Sequence, residues 1–294
     1  MKFDLIIPTA GKDCFLVRKT LKLILEHLIP ENIYIITKAQ YFIYFKYLNQ
    51  GIKDKVIIID EDILLENINY SVISTYLKNV DYNTKNTGWY YQQFLKMGFA
   101  LTGYASRYYL TWDADTLPIK RIDFFNKYGT PYFTLKDEFH KPYFITIKKL
   151  LNLEKSIGES FIAENMLFDV QIMKKLISKI EQSTILGNNW CEKIINVLPA
   201  NMNNSFSEFE TYGTFVLNYF PQEYELRTLR AFRNCGQYYS RMCSIKKLEQ
   251  LSSEYDMISL EHRDNPKYPI GFFSLAQKGV ISYLNRLLVF LNIK

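Results

Sequence analysis

No stretch of the 294-residue sequence approaches the roughly 20 consecutive apolar residues of a membrane-spanning helix. The apolar opening, Phe3 to Pro8, is too short for a secretory leader and carries Asp4, so no signal peptide is expected. Cysteine is scarce. Cys14, Cys191, Cys235 and Cys243 form no Cys-x-x-Cys pair and share no ligand-like spacing with the three histidines. They read as reduced thiols of a cytosolic protein, and a zinc site is not expected. The 12 glycines nowhere form Gly-x-Gly-x-x-Gly after a strand signal, and Gly11-Lys12 lacks the upstream glycine of a P-loop. These gaps argue against a nicotinamide dehydrogenase and a P-loop kinase. Nor is there a dense basic run. A formal charge of +6 without one argues against a nucleic-acid partner and suits anionic phosphates or an anionic membrane face.

What is present describes a globular chain with a large core: 48% hydrophobic and 22% charged residues. Its 23 Tyr and 21 Phe can stack on bases or sugars, but most must fill the interior. The first half alternates strand and helix signals. Phe3–Ile7, Asn32–Thr37, Lys55–Ile59 and Tyr108–Trp112 read as strands. Leu16–Leu28, Ala39–Leu48 and Trp89–Ser106 read as helices. This order predicts an α/β fold, a mostly parallel sheet flanked by helices. Ligands of such sheets sit beyond the carboxyl ends of the strands, here Pro8–Asp13, Asp60–Asp62 and Asp113–Asp115. From about His140 helical patterns dominate, with a late strand over Tyr255–Leu260. In the tail Phe273, Ala276, Val280, Leu284, Leu287 and Leu291 fall on a helical stripe, accompanied by Lys278, Arg286 and Lys294. Such a helix either packs on its own core or a partner, or lies in the plane of a membrane surface.

Two aspartates at i and i+2 in a loop can turn toward one hard cation, and Mg²⁺ or Mn²⁺ prefers carboxylate oxygen. Asp113 and Asp115 fit at the end of a strand; Asp60 and Asp62 repeat the spacing at another strand end. The spacing alone is weak, since about one chain in two of this composition carries it by chance. Context favours the Asp113 pair, which follows the buried run Tyr109-Leu110-Thr111-Trp112 and precedes Pro118. Either pair could instead cap a turn or helix.

Three blocks carry a resemblance. They are Gly88-Trp89-Tyr90-Tyr91-Gln92-Gln93-Phe94-Leu95-Lys96, Trp112-Asp113-Ala114-Asp115 and Ser207-Glu208-Phe209-Glu210-Thr211-Tyr212-Gly213. With Pro8-Thr9 after the first strand, they resemble bacterial GT-A-type glycosyltransferases of capsule and lipopolysaccharide biosynthesis. The resemblance spans about residues 1–265 and implies a GT-A, Rossmann-like fold. It implies a nucleotide-sugar portion over 1–125 and a helix-rich acceptor portion over 126–268; the amphipathic tail helix, 269–294, lies outside it. The implied reaction moves a sugar from a UDP- or GDP-linked donor to a saccharide or lipid-linked saccharide, with Mn²⁺ or Mg²⁺, at the inner face of the cell membrane. Donor sugar, acceptor, stereochemistry and oligomeric state stay open.

By the same resemblance, Pro8, Thr9 and Ala10 border the nucleotide, and Asp60 or Asp62 lies near base or ribose. Gln93 and Lys96, three apart on one helix, meet sugar and phosphate, or else form a solvated face. Asp113 and Asp115 hold metal-diphosphate, and His262 is a candidate third metal ligand or a surface histidine. An inverting transferase also needs a base for the acceptor hydroxyl. Glu210, Glu208 and Glu164 are the candidates. Ser205-x-x-Glu208 and Ser207-x-x-Glu210 both match a capping box, which offers the first two a purely structural role. Competing readings are a sugar nucleotidyltransferase and a non-catalytic, membrane-associated carbohydrate-binding protein.

Overall fold

Leu5-Ile6-Ile7 and Ile33–Ile36 are continuous apolar runs, and each lies in a strand buried along its whole length. Such runs suit parallel strands covered on both faces. A computed structural model describes residues 1–200, 202–241, 243–264 and 270–292. Of the tail stripe, Lys294 and the side chains of Phe273 and Leu291 lie outside the described residues. In chain order the elements are β1 (Asp4–Pro8), α1 (Cys14–Leu28), β2 (Ile33–Thr37), α2 (Gln50–Lys53), β3 (Val56–Asp60), α3 (Tyr70–Asn79), α4 (Thr87–Gly98), β4 (Tyr108–Trp112), β5 (Thr116–Pro118) and β6 (Tyr132–Leu135). There follow α5 (Lys141–Leu151), β7 (Asn165–Asp169), α6 (Val170–Glu181), α7 (Trp190–Asn196), α8 (Glu208–Tyr219), β8 (Glu225–Thr228), β9 (Ala231–Phe232), α9 (Ile245–Glu249), β10 (Met257–Ser259) and α10 (Ile270–Asn292). The protein is α/β and mostly parallel: β1 with β2, β2 with β3, β6 with β8 and β9 with β10 pair in parallel, while β5 and β10 run antiparallel.

The chain divides into two compact units. One comprises Lys2–Asp60, Trp112–Asp123 and Leu229–Lys294. It contains the run β3-β2-β1 and the small sheet β5-β10-β9. Helix α1 turns Leu16 and Leu23 into a cluster with Leu117, Ile119, Cys235, Leu248, Ile258 and Leu260. The helix stops where Ile29 takes a left-handed conformation (φ 51°) just before Pro30. Register in the small sheet fixes the geometry that matters later. Ser259 pairs with Thr116, their hydroxyls 2.9 Å apart, and the Leu260 N–H donates to the Asp115 carbonyl at 2.8 Å.

The other unit comprises Met1, Glu61–Thr111 and Phe124–Thr228. Here β4 neighbours β7, and β6 pairs with β8. Its interior is aromatic: Tyr90, Phe94, Phe99, Tyr109, Phe133, Phe161, Phe168 and Tyr212 are fully buried. Buried phenols need partners, and the Tyr212 and Tyr224 hydroxyls find them in each other at 2.9 Å and in the Asp169 N–H at 3.0 Å. Gly213 lets the Phe161 ring lie on α8, since a Cβ there would stand 2.3 Å from it.

Some expectations shift. The helix expected over Trp89–Ser106 ends at Gly98, tightens into a 3₁₀ turn over Phe99–Leu101 and stops. Leu65 crowds Gly98 closely enough that a Cβ would meet it at 2.6 Å. The helix expected over Ala39–Leu48 is a 3₁₀ turn, Ala39–Phe45. In the helix-rich second half, β7 is a buried strand that the pattern hides, because Asn165 and Asp169 bracket only three apolar residues. The tail does form a helix, α10, over Ile270–Asn292. Among the described residues no helix is long and apolar enough to cross a membrane.

Candidate active site

Asp113, Ala114 and Asp115 form the turn that leads from Trp112 into β5, closed by the Thr116 N–H donating to the Asp113 carbonyl at 3.0 Å. The indole N–H of buried Trp112 donates to the Thr116 carbonyl at 2.7 Å and stiffens the same turn. Because β10 pairs with β5, the residues after Ser259 emerge beside the turn, which brings Glu261 to it; His262 follows, among Lys12, Asp13, Arg241 and Lys278. The loop after β1 supplies Asp13, whose carboxylate takes the Arg241 guanidinium at 2.5 Å. Both partners are buried, and Arg241 also donates to the Lys12 carbonyl at 3.2 Å.

The charges in this cluster do not balance around Asp115. Burial of its carboxyl comes first, and the carboxylates of Asp113, Asp13 and Glu261 add to it; together they push Asp115 up to about 7 against the pull of Arg241. Arg233 and Arg263 face Glu261. Burial and the cations Lys12, Arg241 and Lys278 lower His262, which favours its neutral, lone-pair-bearing form. Among the described residues no group of three or more His, Cys, Asp or Glu side chains is arranged to hold a metal by itself. The donor set nevertheless fits a hard dication of the Mg²⁺ kind. Such ions are typically held by one or two carboxylates with substrate phosphates and water completing the shell, and the crowding at Asp115 is what a dication relieves.

Other expected residues of this unit have more modest surroundings. Pro8 and Thr9 are buried, and the Thr9 hydroxyl donates to the Ile7 carbonyl at 2.8 Å. Ala10 is exposed. Asp60 closes β3 opposite Thr37 of β2. Lys12, set aside with the P-loop, and Arg241 are the cations that the sequence reading missed. Nothing around Arg241 marks it; its partner Asp13 lies 228 residues away.

The remaining expected residues belong to the other unit. Asp62 is exposed in the turn after β3. Gln93 and Lys96 on α4 do share a face, and that face is buried rather than solvated. Both meet the start of α8. The Gln93 side-chain amide oxygen accepts the Glu208 N–H at 3.1 Å, and the Lys96 ammonium lies 2.9 Å from the Glu208 carboxylate and 4.5 Å from the Phe209 ring centre. Ser207 caps α8, its hydroxyl accepting the Glu210 N–H at 3.2 Å. The Glu210 carboxylate turns instead to the Phe161 N–H at 2.7 Å. Burial pushes this carboxyl up to about 7, opposed by the Phe161 N–H and by Lys155. Glu164 pairs with Lys136 at 3.1 Å.

Glu210 therefore carries a stability signature. Its folded-state pKa lies above the unfolded value near 4.5, so the contribution of its protonated form is complete below that pH and lost as pH rises toward 7. Urea unfolding of Glu210→Gln at pH 5 and pH 8 is expected to show that loss removed, a relative gain at pH 8 on the order of 2–3 kcal/mol.

The sequence matches no curated protein. Among solved structures, mouse xyloside xylosyltransferase 1 in its apo form superposes with a TM-score of 0.44 at 10% identity, over 88% of this chain and 97% of that one. Galactosyltransferase LgtC in complex with donor and acceptor sugar analogs gives 0.47 at 10% identity, over 95% and 96%. An active-site mutant of LgtC gives 0.48 at 12% identity, with the same coverage. A family profile matches residues 1–237. The chain belongs to that family, the family of unknown function DUF6492.

Proposed function

We propose that the chain is a metal-dependent glycosyltransferase that moves a sugar from a nucleotide-sugar to a saccharide or lipid-linked saccharide in cell-surface polysaccharide synthesis. The observation that carries this reading is the unbalanced carboxylate cluster at a strand-end turn, with Lys12, Arg241 and Lys278 close by. A nucleoside diphosphate leaving group needs both kinds of charge: carboxylates to hold a dication and cations for the phosphates. Asp113 and Asp115 would hold Mn²⁺ or Mg²⁺, with neutral His262 as a further ligand. The ion would offset the negative charge that develops on the departing diphosphate. Pro8, Thr9, Ala10 and Asp60 would border the nucleoside at the ends of β1 and β3.

For an inverting reaction Glu210 would take the acceptor's proton, and a carboxylate with a pKa of about 7 is matched to that task at neutral pH. Glu208 would hold Lys96 in place. If Glu210→Gln turns over normally while Asp115→Asn is inactive, Glu210 is not the base.

The deciding experiment is a thermal-shift screen of UDP- and GDP-sugars with and without Mn²⁺, followed by product analysis. Ligands that bind the folded state raise its melting temperature by mass action. Metal-dependent hits and release of nucleoside diphosphate support the reading; release of pyrophosphate indicates a nucleotidyltransferase, and no binding at all leaves a non-catalytic protein.

The tail helix suggests where the enzyme works. Val280, Tyr283, Leu284 and Leu287 form one exposed apolar stripe of α10, suited to an in-plane seat on an anionic membrane. Tyr283→Ser/Leu287→Ser is expected to release the protein from anionic vesicles in a flotation assay; unchanged binding removes this anchor.

A further inference from the structure

Aromatic rings gather where α5 begins, in the unit of Glu61–Thr111 and Phe124–Thr228. Phe139 is 65% exposed, yet its ring is held: it stacks on Phe144, with centroids 5.3 Å apart and planes 8° from parallel. Tyr143 lies 4.4 Å from the His140 ring and nearly parallel to half-buried Trp89 of α4, at 6.3 Å and 12°. Rings already fixed in place lose little freedom when a ligand lies on them.

A polar segment borders these rings. Asn204 stands in the left-handed region (φ 51°), and its carbonyl is 3.1 Å from His140 Nε2. The next residue fastens the segment on both sides. The Ser205 carbonyl accepts the Thr146 hydroxyl of α5 at 2.5 Å, and the Ser205 N–H donates to the Tyr90 hydroxyl of α4 at 3.0 Å. The Asn204 side-chain oxygen is buried and, among the described residues, has no hydrogen-bond partner. A buried acceptor without a donor is costly, and a ligand hydroxyl supplies one. Local charge narrows the ligand further. Along residues 136–141, Lys136 and Lys141 offset Asp137 and Glu138, so a phosphate or an anionic membrane finds no net attraction. An aliphatic chain would leave the Asn204 oxygen unsatisfied. A sugar meets both conditions: its C–H face suits the electron-rich face of an aromatic ring, and its hydroxyls reach polar groups at the edge.

We infer that the start of α5 is a binding site for an uncharged saccharide, whose sugar rings lie on Phe139 and along Trp89 and Tyr143 and one of whose hydroxyls donates to the Asn204 amide oxygen. That this saccharide is the acceptor rests on the transferase reading. The link is Lys155, whose ammonium lies over the Phe144 ring at 5.6 Å and also acts on the carboxyl of Glu210.

Tryptophan emission reads the site directly, because Trp112 and Trp190 are fully buried and Trp89 is not. The test is a fluorescence titration of the full chain with lactose, cellobiose, N,N′-diacetylchitobiose and methyl rhamnoside, and with anionic digalacturonate for comparison. The proteins compared are wild type, Phe139→Ala, Asn204→Gly and Tyr128→Ala. Glycine keeps the left-handed backbone at position 204 while removing the amide. Tyr128 is an exposed ring under Lys127 that takes no part in the cluster and serves as the control. Thermal melts confirm that each variant is folded; Phe139→Ala, at an exposed position, carries the test if Asn204→Gly is not. At least one neutral saccharide is expected to shift wild-type emission saturably. Phe139→Ala and Asn204→Gly should each weaken its binding roughly tenfold or more, and Tyr128→Ala should match wild type. No shift with any neutral saccharide, wild-type affinity in Phe139→Ala, or tighter binding of digalacturonate than of every neutral sugar overturns the inference. The two readings fail separately. Saccharide binding that needs Phe139, with no turnover of any nucleotide-sugar, keeps the site and removes the transferase. Sugar transfer with an unchanged acceptor KM in Phe139→Ala removes the site and leaves the transferase.

Discussion

Replacing Asp115 by asparagine is expected to cut sugar transfer by roughly 10²- to 10³-fold, yet to raise the melting temperature of the metal-free protein at pH 8 by a few degrees. The two effects have one cause. Burial and the carboxylates of Asp113, Asp13 and Glu261 hold the Asp115 proton up to about pH 7, whereas an unfolded chain releases it near 4. Protonation therefore favours the folded state. That contribution is complete at acid pH and disappears as pH rises from about 4 to 7, so at pH 8 the folded protein carries an ionised, crowded carboxylate. Asparagine removes the crowding, a gain on the order of 2 kcal/mol once partial exposure is allowed for. Mn²⁺ should recover that stability in wild type and do much less in the variant. Melts in EDTA and in Mn²⁺, alongside a turnover assay, check both halves. An Asn variant that is less stable than wild type at pH 8 and fully active contradicts the assignment.

The aspartate turn was legible because local signals converge on it. Tyr108–Trp112 is a continuous buried run, and the turn that follows closes on Thr116. The strands β1 to β3 were legible for the same reason: apolar runs of strand length ended by proline, threonine or aspartate. What surrounds the turn was not legible, because it depends on pairing across the chain. No local feature announces that β10 lies antiparallel to β5, yet that register brings Glu261 to Asp115. Arg241 sits in an ordinary sequence and acquires meaning only through Asp13. Strand β7 was lost because its apolar core is three residues long, too short for any periodicity to show. The capping-box pattern was half right. Ser207 does cap α8, but the Glu210 carboxylate goes to Phe161, a partner 49 residues away.

Breaking the buried Lys96–Glu208 pair should cost the fold heavily. Both side chains are about 5% exposed and their charged atoms are 2.9 Å apart. Taking one charge away leaves the other in a low-dielectric interior without its partner, so Lys96→Met is expected to cost about 3–5 kcal/mol in urea unfolding. The backbone offers no relief, since the Glu208 N–H is already committed to Gln93. Replacing both charges with apolar groups of similar size, as in Lys96→Met/Glu208→Leu, should return most of that loss, because a paired buried ion contributes little net stability over a packed hydrocarbon. A double-mutant cycle then yields a coupling energy of several kcal/mol. The same double variant separates scaffold from chemistry. If the pair only fastens α4 to α8, turnover returns with stability. If Lys96 also grips substrate, as the glycosyl-transfer reading has it, the double variant folds well and turns over poorly. The deficit then lies in a step that needs the ammonium, and kcat and KM measured on the refolded double variant distinguish the two outcomes.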